Sequence, residues 1–162
     1  MAARFEYRQA REIAAAFDHC GVRYMFLGKS GAIILGFPDT TQDADLFLDK
    51  SPTNARAAVD ALVQLGFPLT AAERAEIERG KDFVQLRQGP FDLDLVFAPD
   101  GIETFEEAYR RSLVIEGMRV CHIDDIIRSK EATGRVKDRE SLPRLKAFRD
   151  WWIARRRPTG EA

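Results

Sequence analysis

Apolar and polar positions alternate with two distinct periods along this chain, and the changes of period divide it into elements. Residues 5–20 set Ala10, Ile13, Ala14 and Phe17 on one stripe at helical spacing, and Gly21 follows as a terminator. The short run 22–27 is β-branched and aromatic and reads as a strand. It leads into the small-residue turn Gly28-Lys29-Ser30-Gly31 and a short helix over 32–35. Residues 42–48 read as a buried strand, and Ser51-Pro52 supply an N-cap and a first-turn proline for a helix running to about Leu65, closed by Gly66.

Two further strands, 82–86 and 91–97, flank the loop Arg87-Gln88-Gly89-Pro90 as an antiparallel pair. A short helix is expected over 104–111 and a small hairpin or edge strand over 114–120, interrupted by Gly117. Another helix starts at Asp124 and ends near Gly134. The last, over 141–156, turns Leu142, Leu145, Phe148 and Trp152 inward, and the tail from Pro158 is expected to fray. With 162 residues, 45% of them hydrophobic, the chain suits one α+β domain with a short mixed sheet flanked by helices: a core of about 22–120 and a helical part of about 121–157.

Charge and cysteine content remove several classes of function. Lys and Arg total 25 against 26 Asp and Glu, so the net charge of −1 supplies no general pull toward nucleic acid or an anionic membrane. Cys20 and Cys121 have no partner at metal-ligand spacing, which fits reduced thiols better than a disulfide framework or structural zinc. No signal-peptide pattern and no membrane span is legible, so a cytoplasmic protein is expected.

The candidate chemistry lies in the aspartates. Side chains alternate across a strand, so Asp43 and Asp45 point one way while Ala44, Leu46 and Leu48 point the other. By the same count Phe91, Leu93, Leu95 and Phe97 enter the core and Asp92 and Asp94 share the opposite face. Like charges gathered on partly buried strands call for a cation, and hard oxygen ligands suit magnesium or manganese. The plainer alternative is that each aspartate is an exposed strand residue paired with one of the many arginines. The glycine turn at 28–31, between a strand and a helix, offers free amides to phosphate oxygens, although glycine there also suits a tight turn.

Together, LGKSGAIILGFPDTTQDADLFLD resembles the nucleotidyltransferase core of the DNA-polymerase-beta-like class: an apolar strand, a glycine turn, a short helix, then D-x-D on the next strand. It looks most like the minimal bacterial branch that includes abortive-infection and other toxin-type nucleotidyltransferases, with Gly28, Gly36, Pro38, Thr41, Asp43 and Asp45 in register. Asp94 in LDLVFAPDG best matches the third carboxylate, with Asp92 in reserve, and IIRSKEATGRVKD resembles a later basic element of that branch. Similarity covers most of 24–138, with two departures: Lys29 stands at a small-residue position of the turn and Asp39 where an arginine is usual.

The resemblance implies a metal-dependent enzyme that moves a nucleoside monophosphate from a nucleoside triphosphate to a hydroxyl of RNA, protein or a small molecule. Asp43, Asp45 and Asp94 would hold magnesium or manganese, Asp94 completing the catalytic site. Gly28, Lys29 and Ser30 would meet the phosphates, with Lys130, Arg135 and Lys137 as candidate cations. It also implies that an antitoxin partner exists. Two other readings stand beside it. The departures at Lys29 and Asp39 fit a module that keeps the fold and binds nucleotide or a partner without catalysis. A phosphohydrolase or glycosyltransferase would use D-A-D differently, and a haloacid-dehalogenase-type phosphatase wants threonine or valine where Leu46 follows. His19 and His122 suit surface or helix-end roles. Trp151 and Trp152 suit packing or a partner surface, and the run Arg155-Arg156-Arg157 suits a solvated helix end.

Overall fold

The computed structural model describes residues 5–156. The expected frayed tail, Arg157 and the first four residues lie outside the described residues. Seven helices and six strands follow one another as α1 Tyr7–His19, β1 Tyr24–Leu27, α2 Gly28–Ile34, β2 Asp43–Leu48, α3 Pro52–Gln64, α4 Ala71–Glu78, β3 Phe83–Leu86, β4 Asp92–Val96, α5 Phe105–Arg111, β5 Leu113–Ile115, β6 Met118–Val120, α6 Ile123–Thr133 and α7 Val136–Arg155.

The strands form one mixed sheet in the order β3-β4-β2-β1-β6-β5. β2 runs antiparallel to β1 but parallel to β4, and this parallel pairing sets Asp43 opposite Asp92 and Asp45 opposite Asp94. The hairpins β3–β4 and β5–β6 close the two edges, the second through Glu116 and Gly117, both at positive φ. Ala44, Leu46 and Leu48 are fully buried, as are Leu93 and Leu95 on β4. Phe47 shares the aspartate face of β2 yet is buried too, because α5 sets Phe105 edge-on against it with ring centroids 5.1 Å apart.

Most of the expected elements are present, with three differences. The turn at 28–31 is the opening of α2 itself, which begins at Gly28 and is seven residues long, too short for a substantial dipole. Helix α4 was not anticipated; Thr70 and Glu73 form a reciprocal capping box that starts it. The last helix begins at Val136, before the expected residue 141, and carries Pro143 within it.

The predicted inward stripe is present in α7. Leu145, Phe148 and Trp152 are buried, and Leu142 is packed partly against the core. Trp151 is exposed, and the guanidinium groups of Arg155 and Arg156 lie over the Trp151 and Trp152 rings. His19 sits in the last turn of α1, while the Nδ1 of His122 caps α6 by accepting from the amide of Asp124. Both cysteines are free. Among the described residues, no helix is long and apolar enough to cross a membrane.

Candidate active site

Three of the four strand aspartates converge. Asp43, Asp45 and Asp94 each present a carboxylate oxygen, and these oxygens lie within 4.8 Å of one another. Asp92, the reserve candidate, pairs with Asp43 in the ladder but stands outside this group. The Thr41 hydroxyl donates to the Asp43 backbone carbonyl at 3.2 Å and stands 3.5 Å from its Oδ1.

The charge of the group is poorly compensated. Burial raises the Asp45 carboxyl well above its ordinary range, and the charges of Asp43 and Asp94 add to this, with Lys130 opposing. Asp94 is only 5% exposed and is raised by burial and by Asp43, while Arg87 pulls the other way. Oδ1 of Asp94 is buried without a well-directed hydrogen bond. Three carboxylates gathered this closely, two of them raised by burial and by the charge of Asp43, fit a hard divalent cation.

Arg87 was not anticipated as part of the site. It follows β3 at the hairpin, and its Nη2 stands 2.8 Å from Asp94 Oδ1 and 3.6 Å from Asp43 Oδ2. The shorter distance is within contact range, but the approach is off line, so the ion pair leaves Asp94 Oδ1 without a true hydrogen bond.

Gly28 faces this group from the start of α2. Its φ is +62°, and a Cβ added there would overlap the Asp45 carboxylate. Ser30 is buried, and its hydroxyl is already engaged: it donates to the Leu27 carbonyl at 2.9 Å and accepts from the Asp45 amide at 3.0 Å. This side chain therefore couples α2 to β1 and β2, and a phosphate contact would require one of these bonds to break. Lys29 turns to Asp39, with Nζ 3.3 Å from Oδ2, and Arg144 of α7 joins the same carboxylate at 3.4 Å. The two departures from the expected pattern thus face each other.

A cleft of about 430 Å³ meets the triad at Asp45 and is lined also by Gly28, Phe83, Pro99, Lys130 and Arg135. That volume falls within the range typical of small-ligand sites, roughly 300–1,000 Å³. Lys130, at the end of α6, and Arg135, at the start of α7, are both held by buried Asp138, at 3.3 and 2.8 Å. Burial alone would raise the Asp138 carboxyl, but the Arg135 hydrogen bond and the Lys130 charge outweigh it and hold it below the ordinary range. Lys137 is exposed on the first turn of α7 and does not line the cleft.

The six-stranded mixed sheet with helices packed on it is a nucleotidyltransferase-like fold. The chain superimposes on a candidate nucleotidyltransferase from Thermotoga maritima, known from a crystal structure, with a TM-score of 0.55 and 16% identity over 88% of this chain and 92% of the other. No protein-family model matches the sequence, and no curated protein matches it.

Proposed function

We propose that this protein is a metal-dependent nucleotidyltransferase that moves a nucleoside monophosphate from a nucleoside triphosphate to a hydroxyl acceptor. The observation that carries this reading is the convergence of Asp43, Asp45 and Asp94 within 4.8 Å, with Asp45 also lining the cleft. These three carboxylates would hold magnesium or manganese, which when bound neutralises phosphate charge and lowers the barrier to attack at phosphorus.

The remaining chemistry falls to the chain itself. Lys130 and Arg135 line one wall of the cleft and supply positive charge for the triphosphate, and Asp138 fixes their position. Gly28 leaves the space that the Asp45 carboxylate occupies, and so lets Asp45 stand at the edge of the cleft. Asp94, on β4 beside Asp43 and Asp45, is placed to accept the acceptor's hydroxyl proton. The acceptor oxygen then bonds to the α-phosphorus as the bond from that phosphorus to the bridging oxygen breaks, and pyrophosphate leaves.

The toxin-like resemblance favours RNA or protein as acceptor over a small molecule, and an antitoxin as partner. The alternative of a binding module without catalysis rests on Lys29 and Asp39. These pair with each other and neither lines the cleft, which favours the active reading. Transfer of label from α-phosphate-labelled nucleotides, with magnesium or manganese, to total RNA, extract protein or the protein itself tests this function. Label is expected with the wild type and not with Asp43→Ala/Asp45→Ala. No transfer to any acceptor class would reject the enzyme, and nucleotide binding retained without transfer would favour the binding module.

A further inference from the structure

Arg87 holds an unusual position. Its guanidinium is the cation nearest to Asp94 and also approaches Asp43, and both belong to the group that fits a divalent metal. Two cations cannot share that space, because the metal would need the same Asp94 oxygen that Arg87 now faces at 2.8 Å.

Little fastens the guanidinium in place. Its remaining contacts, from Nη1 to the carbonyls of Leu86 and Leu93, are long, at 3.4 and 3.5 Å. The residue lies in the exposed turn beyond the last β3–β4 ladder pair, Leu86 with Leu93, so its side chain can swing away without disturbing the sheet.

We propose that Arg87 is a built-in counter-ion of the aspartate triad, exchanged for the metal when the site fills. This rests on the metal-binding reading above and adds a consequence to it. Without metal, Arg87 keeps three clustered carboxylates tolerable. When metal enters, Arg87 loses that partner, so metal binding alone is weakened by the exchange. An anionic ligand arriving with the metal gives the displaced guanidinium a new partner at the mouth of the site, which makes metal and triphosphate bind as a unit. Linkage requires the effect to be reciprocal: each ligand tightens the other.

The test compares the full-length wild type with Arg87→Met and Arg87→Lys at pH 8, using manganese alone and manganese with a non-hydrolysable nucleoside triphosphate analogue. Affinity is read by titration calorimetry and stability by thermal melts. Arg87→Met is expected to bind manganese alone about tenfold tighter, well below the bare Coulomb scale at this range because solvent screens a partly exposed guanidinium. Its tightening of manganese by the analogue is expected to be smaller than in the wild type. Its melting temperature should fall below the wild type's in chelator and recover toward it at saturating manganese. Arg87→Lys, which keeps the charge, should stay near the wild type.

A purely structural ion pair would instead leave the same deficit with and without metal, and that result overturns the exchange. Equal manganese affinity in folded wild type and Arg87→Met also overturns it while leaving the metal site standing. No manganese binding by either protein overturns both.

Discussion

Gly28 and Asp45 stand so close that the absence of a side chain on the first is a condition for the position of the second. The glycine also has φ of +62°, a conformation that L side chains rarely adopt. Gly28→Ala is therefore expected to cost about 1–2 kcal/mol from backbone strain alone. Displacement of the Asp45 carboxylate should lower transfer about 100-fold, the usual scale for an ångström of misplacement at a reacting centre. Thermal melts with and without manganese, together with the label-transfer assay, measure both effects. Wild-type activity in this variant would contradict the placement of Asp45 in the metal site.

Ser30→Ala separates two roles of one hydroxyl. Because Ser30 bonds to the Leu27 carbonyl and the Asp45 amide, the alanine variant is expected to lose about 1–3 kcal/mol of stability by leaving those groups unpaired. Nucleotide affinity, scored by titration on the folded variant, should change little. Weaker nucleotide binding at unchanged melting temperature would instead put the hydroxyl on a phosphate.

Asp138 gives a pH dependence with a definite sign. Its carboxyl is held below the ordinary value of 3.8 when folded, so its stabilising contribution is present above that value and lost as pH falls through the folded one. Asp138→Asn is expected to cost about 2 kcal/mol near neutrality, where Lys130 and Arg135 lose their charged acceptor, and to flatten the fall in melting temperature on acidification. Melts from pH 7 to pH 3 on both proteins measure the difference. Parallel curves would show that Asp138 carries no such linkage.

The aspartate faces of β2 and β4 were legible because Asp43 and Asp45 alternate with Ala44 and Leu46, and Asp92 and Asp94 with Leu93 and Leu95, which leaves one reading of which residues share a side. What alternation cannot give is the neighbour of each strand, and the placement of Asp45 beside Asp94 follows from the parallel β2–β4 pairing. Arg87 was missed for the same reason. Its approach to the triad depends on the β3–β4 register, which pairs Gln85 with Asp94 and leaves residue 87 just beyond the ladder. The onset of α7 was hidden because residues 137–140 are all charged and show no apolar stripe, whereas helix α4 did carry a signal, the Thr70-x-x-Glu73 capping box.

Lys29 and Asp39 should behave as a coupled pair. Lys29→Asp alone sets two carboxylates against each other and is expected to destabilise by up to about 1 kcal/mol, the scale of a partly exposed ion pair. Adding Asp39→Lys should recover only part of that loss, because Arg144, which also pairs with Asp39, then faces a lysine. A double-mutant cycle on melting free energies reads the coupling directly, and strict additivity would mean that the two residues vary independently.

The cleft draws its walls from segments far apart in the chain. Asp45, Phe83 and Pro99 come from the sheet and its loops and Gly28 from the start of α2, while Lys130 and Arg135 straddle the break between α6 and α7 at Gly134. A ligand seated against both walls acts as a reversible staple across that break. The amides over 130–138 then exchange hydrogen more slowly when the ligand is bound, so the motion of the helical junction reports occupancy of a site formed largely by the sheet.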